Sequence, residues 1–92
     1  MVDDNNHNMD DPDIQALLPA VEQQLASPET PFVRLTLTRL IDDAGIPEDE
    51  ARYMIAFCLA DEIERFSAAA DAFDLDRYKM LLALLPTLPE AR

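Results

Sequence analysis

The chain has 92 residues, of which 19 are acidic and 7 are basic, so its formal net charge is −12 at pH 7. This length suits one domain, and the shortage of Lys and Arg argues against direct binding to nucleic acid or to an anionic membrane surface. The chain has one glycine, no tryptophan and no alternating run of β-branched residues, and this composition predicts an all-α fold. The expected architecture is a compact bundle of four main helices around a central third helix.

The first helix is expected to follow a disordered acidic tail over residues 1–11. It begins at Pro12 with Asp11 as its N-cap. Because a proline inside a helix removes a backbone hydrogen bond, Pro19 is expected to kink this helix or to split it. Its apolar stripe is Ile14, Leu17, Leu18, Val21 and Leu25.

The second helix is predicted to start with Thr30 as N-cap and Pro31 in the first turn. Gly45, the only glycine, stands where a left-handed C-cap is needed. One face of this helix collects Val33, Leu37, Leu40, Ile41 and Ala44.

The third helix is predicted to be the central one, over residues 51–66, with Glu48, Asp49 and Glu50 before it at the positive end of the helix dipole. Its middle is apolar on several sides, which is typical of a helix with several neighbours. The predicted buried face consists of Ala51, Met54, Ile55, Cys58, Leu59, Glu62, Ile63 and Phe66.

The last helix is predicted over residues 75–85, with Asp74 as N-cap and Pro86 and Pro89 beyond its end. Residues 67–73 are compatible with either helix or linker. The single domain is expected to cover residues 12–86, followed by a flexible tail over 87–92. The buried stripe is Leu75, Tyr78, Leu81, Leu82 and Leu85, while Phe32, Leu35, Phe73, Met80 and Leu84 either extend the core or line a self-association surface.

Catalytic and metal-binding residues are scarce, so we expect no enzyme activity, no metal and no cofactor. The only histidine, His7, lies in the predicted tail, and the only cysteine, Cys58, lies on an apolar helix face, where a packing role is usual. Zinc sites need more such ligands. The series Asp71, Asp74 and Asp76 lacks the glycine and the twelfth-position glutamate of a calcium loop.

Acidic residues on the third helix are the remaining candidates for an interaction site or pocket. Asp61, Glu62 and Glu64 are close in sequence but point in different directions around a helix. Asp61 is expected to form a surface ion pair with Arg65. Glu62 interrupts the apolar face and is expected to bond Tyr53, Tyr78 or an arginine.

The expected location is the cytoplasm. No basic and apolar secretory signal starts the sequence. The longest apolar run, residues 53–60, is far shorter than the roughly 20 residues that cross a bilayer. A single cysteine fits a reducing compartment.

The chain also resembles a group of short bacterial helical domains of unknown function, over about residues 12–63. The residues that carry the resemblance are Pro12, Glu22-Gln23, Arg39-Leu40, Gly45, Glu50-Ala51 and Glu62-Ile63. The resemblance implies a small helical domain and no established activity. In the group, recurring histidines suggest a metal site, but this chain has Leu17 and Tyr53 at about those positions.

Three functions are compatible with these patterns. The first is a non-enzymatic interaction module that binds a protein partner, possibly a basic one, or a second copy of itself. The second is a ligand- or metal-binding domain with Glu62 and Tyr53 in one small pocket. The third is an inhibitor that imitates the phosphates of DNA and blocks a nucleic-acid-binding protein.

Overall fold

The computed structural model describes residues 11–69 and 75–88, with the backbone alone over 65–69. Five helices and no strand occur in these ranges: α1 (Pro12–Gln15), α2 (Leu18–Ala26), α3 (Pro31–Asp42), α4 (Glu48–Ala69) and α5 (Leu75–Leu84). The predicted all-α bundle is therefore confirmed, with α1 and α2 together forming the predicted first helix.

The predicted first helix is split rather than kinked. Asp11 caps α1 as expected, because its Oδ1 accepts the N–H of Asp13 at 2.9 Å. The interruption lies at Ala16 and Leu17, and Pro19 stands in the first turn of α2. A proline costs little there, since the first N–H groups of a helix have no partner inside it.

The connection between α2 and α3 corrects one expectation. Thr30 occupies the N-cap position of α3, but its side chain makes no capping bond to that helix. Its Oγ1 instead donates to the carbonyl of Gln24 at 2.8 Å, near the end of α2. The threonine therefore stabilises the end of the preceding helix.

The end of α3 depends on Gly45, as predicted. Its φ of +69° is left-handed, and an added Cβ would meet no atom within 4 Å, so the backbone conformation alone favours glycine here. The N–H of Ile46 then reaches the carbonyl of Leu40 at 3.0 Å. Ala44 lies beyond the helix and is exposed, so its predicted place on the buried face is wrong.

The central position of the predicted third helix is confirmed. The helix α4 is longer than the predicted 51–66 and contacts each of the other four helices. Ile55, Ala56 and Cys58 are fully buried, although they point in different directions around the axis. A helix surrounded in this way needs apolar residues on more than one face.

The last helix, α5, packs chiefly against α3 and α4. Tyr78 is fully buried and its hydroxyl donates to Gln24 Oε1 of α2 at 2.6 Å. Leu75 is exposed, so its predicted place in the buried stripe is wrong. The helix ends one residue before the predicted Leu85, ahead of a cis Leu85–Pro86 bond.

One continuous core joins all five helices. Its buried apolar residues are Ile14, Val21, Leu25, Val33, Leu37, Leu40, Ala51, Tyr53, Ile55, Ala56, Cys58, Leu59, Tyr78, Leu81, Leu82 and Leu85. Leu88 is half-buried and packs against this core, although a flexible tail was predicted from residue 87.

Some predictions fall outside the described residues. These are the acidic tail over 1–10, Asp74 as an N-cap, the side chains of Phe66 and Phe73, and residues 89–92. Among the helices that are described, none has both the length and the apolar content required to cross a bilayer.

Candidate protein-interaction surface

Glu62 is the most deeply buried of the predicted site residues. Its side chain is only 2% exposed, and its Oε1 lies 3.2 Å from Nε of Arg77, which comes from α5. A buried carboxylate requires such a partner, because transfer of an isolated charge out of water is costly. Of the three partners expected for Glu62, the structure therefore shows the arginine, and this contact ties α5 to α4.

Tyr53 is also buried, but it contacts another part of the molecule. Its hydroxyl oxygen accepts the N–H of Asp11 at 3.4 Å, at the start of α1. Tyr53 and Glu62 are nine residues apart on α4, which places them about 13 Å apart along the axis and about half a turn apart around it. The predicted pocket shared by these two residues is therefore not formed.

Asp61 and Glu64 lie in contrasting environments. Asp61 is only 9% exposed, so the prediction that it lies on the surface is wrong. The side chain of Arg65, its expected partner, lies outside the described residues. Glu64 is exposed, as a solvated carboxylate should be.

Cys58 is a buried free thiol facing the core. Burial, with a smaller contribution from the nearby negative charge of Asp61, raises the pKa of this thiol from 9.0 to about 12. The thiolate is the reactive form of cysteine, so a thiol held protonated in this way is a poor nucleophile. In the ranges that the structure describes, no three His, Cys, Asp or Glu residues come close enough to hold a metal ion.

Two arginines of α3 bind the carboxyl ends of other helices. Arg39 donates from Nη1 to the carbonyl of Leu85 at 2.8 Å and from Nη2 to that of Leu82 at 2.9 Å, at the end of α5. Arg34 donates from Nη2 to the carbonyl of Leu25 at 2.9 Å, near the end of α2. The last carbonyls of a helix lack partners within it and carry partial negative charge, so both arginines are well placed to satisfy them.

The other described basic side chains also make contacts within the molecule. Arg52 binds Glu22 of α2 and, from Nη2, Glu48 at 2.6 Å. Lys79 Nζ lies 5.3 Å from the centre of the Phe32 ring, within the range of a cation–π contact. With Arg77 paired to Glu62, all five basic side chains that the structure describes make intramolecular contacts.

Carboxylates dominate the exposed charge as a result. Those exposed among the described residues are Asp11, Asp13, Glu22, Glu29, Asp42, Asp43, Glu48, Asp49, Glu64 and Asp76. Apart from Glu22 and Glu48, which bind Arg52, none of these carboxylates has an ion pair with a described basic side chain. This surface presents a negative field to an approaching molecule.

Large apolar side chains interrupt the acidic surface at a few points. Leu35 is 68% exposed on α3, and Leu84 is 56% exposed on α5 beside the exposed Met80. Phe32 is half-buried and packs edge-on against Tyr78, with the ring centres 6.0 Å apart, so it extends the core. Of the five apolar residues predicted either to extend the core or to line a surface, Phe32 therefore extends the core, Leu35, Met80 and Leu84 are exposed, and Phe73 lies outside the described residues.

A groove of about 410 Å³ lies at the corner between α2 and α3 and is open to solvent on one side. We call it the corner groove; its lining is Leu25, Ala26, Ser27, Pro28, Pro31, Arg34 and Leu35. Two prolines and Leu35 make most of its surface apolar. The exposed Glu29 lies in the same loop, between Pro28 and Pro31.

The sequence pattern missed the corner groove and the arginine caps. Off-stripe Leu35 was the one signal for the groove, since an apolar residue away from the core face is available for contact. Arg39 and Leu85 are 46 residues apart, and no local pattern joins them. Comparison of the chain with protein-family models, curated proteins and solved structures gives no match.

Proposed function

We propose that this protein is a small, non-enzymatic interaction module that binds a basic protein partner through its carboxylate surface. One observation carries the proposal: each described basic side chain makes a contact within the molecule, whereas ten described carboxylates are exposed and eight of these have no ion pair with a described basic side chain. Charge of one sign over a surface accelerates association with an oppositely charged partner and disfavours partners of like charge. Nucleic acid and anionic membranes are accordingly not the expected ligands.

We further propose that the protein acts in the cytoplasm and uses no metal or cofactor. The one cysteine of the chain is a buried free thiol, a form that reducing compartments preserve.

The alternative within the class of interaction modules is that the protein binds a second copy of itself. The exposed Met80 and Leu84, one turn apart on α5, favour it. Against it, each copy has a net charge of −12, and like charges repel. Light scattering over a concentration series distinguishes self-association from binding of a basic partner, because self-association requires the apparent mass to rise with concentration. The measurement is made at about 0.15 M salt, where repulsion between charges more than about 8 Å apart is largely screened.

A ligand pocket built from Tyr53 and Glu62 receives little support, because these side chains lie on opposite sides of α4. A thermal-shift screen with divalent cations and metabolites tests it, since binding to the folded state alone raises the melting temperature. A flat response is expected.

The deciding experiment is affinity purification from the source organism followed by mass spectrometry. The bait is compared with a variant in which Asp42, Asp43 and Asp49 are replaced by Asn, which leaves shape and core unchanged. The proposal requires a basic protein that the native bait captures, and that is lost with the variant and at high salt. Recovery of neutral or acidic proteins alone contradicts it. Release of the captured protein by DNA would instead identify the carboxylates as a DNA mimic.

A further inference from the structure

We infer that the corner groove is the docking site, and that its occupant is a short basic segment of the partner carrying an exposed apolar side chain. This inference rests on the proposed function and assigns it to one surface. The groove lies at one end of α3, at the α2–α3 loop, and Leu35 forms its outer edge.

The shape of the groove favours a segment of a macromolecule over a small ligand. Small-molecule sites generally enclose most of the ligand surface, whereas this groove is open along one side. Its volume of about 410 Å³ accommodates one large apolar side chain and leaves the flanking residues of a peptide outside. Leu35, at 68%, is the most exposed of the large apolar side chains that the structure describes. Coverage of such a side chain removes apolar surface from water, which favours binding.

Charge around the groove selects a basic occupant. Pro31, Leu35 and Asp42 share the outer face of α3, and Asp42 lies about 10 Å along the axis from Leu35. Glu29 is exposed at the opposite end, in the loop before α3. Carboxylates therefore lie on both sides of the apolar groove. A partner segment with one apolar residue in the groove can reach them with basic residues on each side of that residue.

The one basic side chain in the groove does not oppose this arrangement. Arg34 Nη2 donates to the carbonyl of Leu25, near the carboxyl end of α2. The partial negative charge of that helix end, about half an elementary charge, offsets part of the charge of this guanidinium, and Glu29 and Asp42 on the two sides outnumber it. The exposed pair Met80 and Leu84 has an exposed carboxylate on one side only, because Asp76 lies one turn before Met80, whereas Lys79 lies next to Met80 and no described carboxylate follows Leu84. This pair therefore provides the matched control surface.

Peptide titration tests the inference. Three synthetic peptides, KRKSFSKRK, KRKSSSKRK and EDESFSEDE, are added to the ¹⁵N-labelled full chain, and amide shifts are followed by NMR. We expect the first peptide to shift the amides of the non-proline residues in 25–35 and of residue 42, with a Kd at least threefold lower than that of the second. The acidic peptide is expected not to bind.

Two variants locate the contact. Leu35→Ser is expected to raise the Kd of KRKSFSKRK at least threefold, whereas Leu84→Ser leaves it unchanged; both side chains are exposed, so both variants should fold. Equal binding of the two basic peptides, or shifts centred on α5, overturns the groove while the basic-partner proposal stands. If neither of the two basic peptides binds, both the groove and the basic-partner proposal are contradicted. Shifts of residues 25–35 that follow protein concentration alone identify a second copy as the occupant and overturn the inference.

Discussion

The helices α4 and α5 are both rich in apolar residues, yet they occupy different positions. The helix α4 contacts the four other described helices, and its described large apolar side chains are buried or half-buried. The helix α5 packs chiefly against α3 and α4, and three of its large apolar side chains, Leu75, Met80 and Leu84, are exposed. The number of neighbouring helices therefore decides which apolar residues become core.

The two helices also differ in how polar groups hold them. Glu62 lies inside the bundle on α4 and requires Arg77 as its partner. The end of α5 is attached to α3 through backbone carbonyls that accept from Arg39. The helix α5 is therefore held by polar contacts near both of its ends, through Arg77 near one end and through its backbone carbonyls at the other.

The largest difference is expected when the same charge is introduced into each helix. Ile55→Asp places an unpaired carboxylate in the centre of α4 and should cost at least about 4 kcal/mol, which is a large part of the stability of a small domain. Leu84→Asp, at an exposed position in the last turn of α5, should cost at most about 1 kcal/mol, because the carboxylate meets only the partial negative charge of the helix end. Urea denaturation followed by circular dichroism measures both. Similar costs for the two variants would contradict the central position of α4.

The buried ion pair between the two helices should have the next largest effect. Glu62→Ala removes the partner of Arg77 and leaves a cavity, and it should cost about 3 kcal/mol; this figure is at the low end for a buried pair, because the Arg77 side chain is 28% exposed. Glu64→Ala, on the exposed side of the same helix, serves as control and should cost less than about 0.5 kcal/mol. Equal values in urea denaturation would show that Glu62 does not need its partner.

The attachment of α5 to α3 is tested by Arg39→Met, which keeps most of the side-chain volume. Loss of two bonds to carbonyls of α5 should cost about 2 kcal/mol and increase amide hydrogen exchange in the last turn of that helix. Arg34→Met removes one such bond to α2 and should cost about 1 kcal/mol. Unchanged exchange in α5 would contradict the role of Arg39.

A further effect is confined to alkaline pH and concerns Cys58 in the interior of α4. Because burial raises the pKa of this thiol to about 12, the folded state keeps the proton that the unfolded state loses near pH 9.0. Stability should therefore fall between pH 9 and 12, by up to about 1.4 kcal/mol per pH unit from this group. Burial of Tyr78 raises its pKa and acts in the same direction. Cys58→Ala should make the decline shallower; an unchanged slope in urea titrations over this range would exclude the thiol.

Much of the fold follows from local patterns in the sequence. Asp11 and Gly45 act within a few residues of their own position, so their roles as caps are readable from the chain. The all-round apolar character of α4 likewise indicates several neighbours without revealing which ones. The interruption of the first helix near Pro19 follows from the missing N–H of proline.

The candidate site was much less predictable, because it depends on contacts between distant residues. Thr30 had the right residue type for an N-cap, yet it donates to the preceding helix. Asp61 and Glu62 are both buried, although charged residues usually signal a solvated face. The spacing of nine residues already places Tyr53 and Glu62 on opposite sides of one helix, but only the bundle shows that Asp11 lies beside the first and Arg77 beside the second.

The pair of hydrogen bonds that Arg39 donates to α5 has a consequence for sequence variation. One guanidinium reaches two carbonyls with separate nitrogens, and its fixed planar geometry sets both directions at once. A lysine at this position would preserve the positive charge but concentrate its donors at a single atom. Replacement of arginine by lysine, which substitution tables score as mild, should therefore be selected against at position 39. Replacement of Lys79 by arginine should be tolerated, because Lys79 contacts an aromatic ring through its charge.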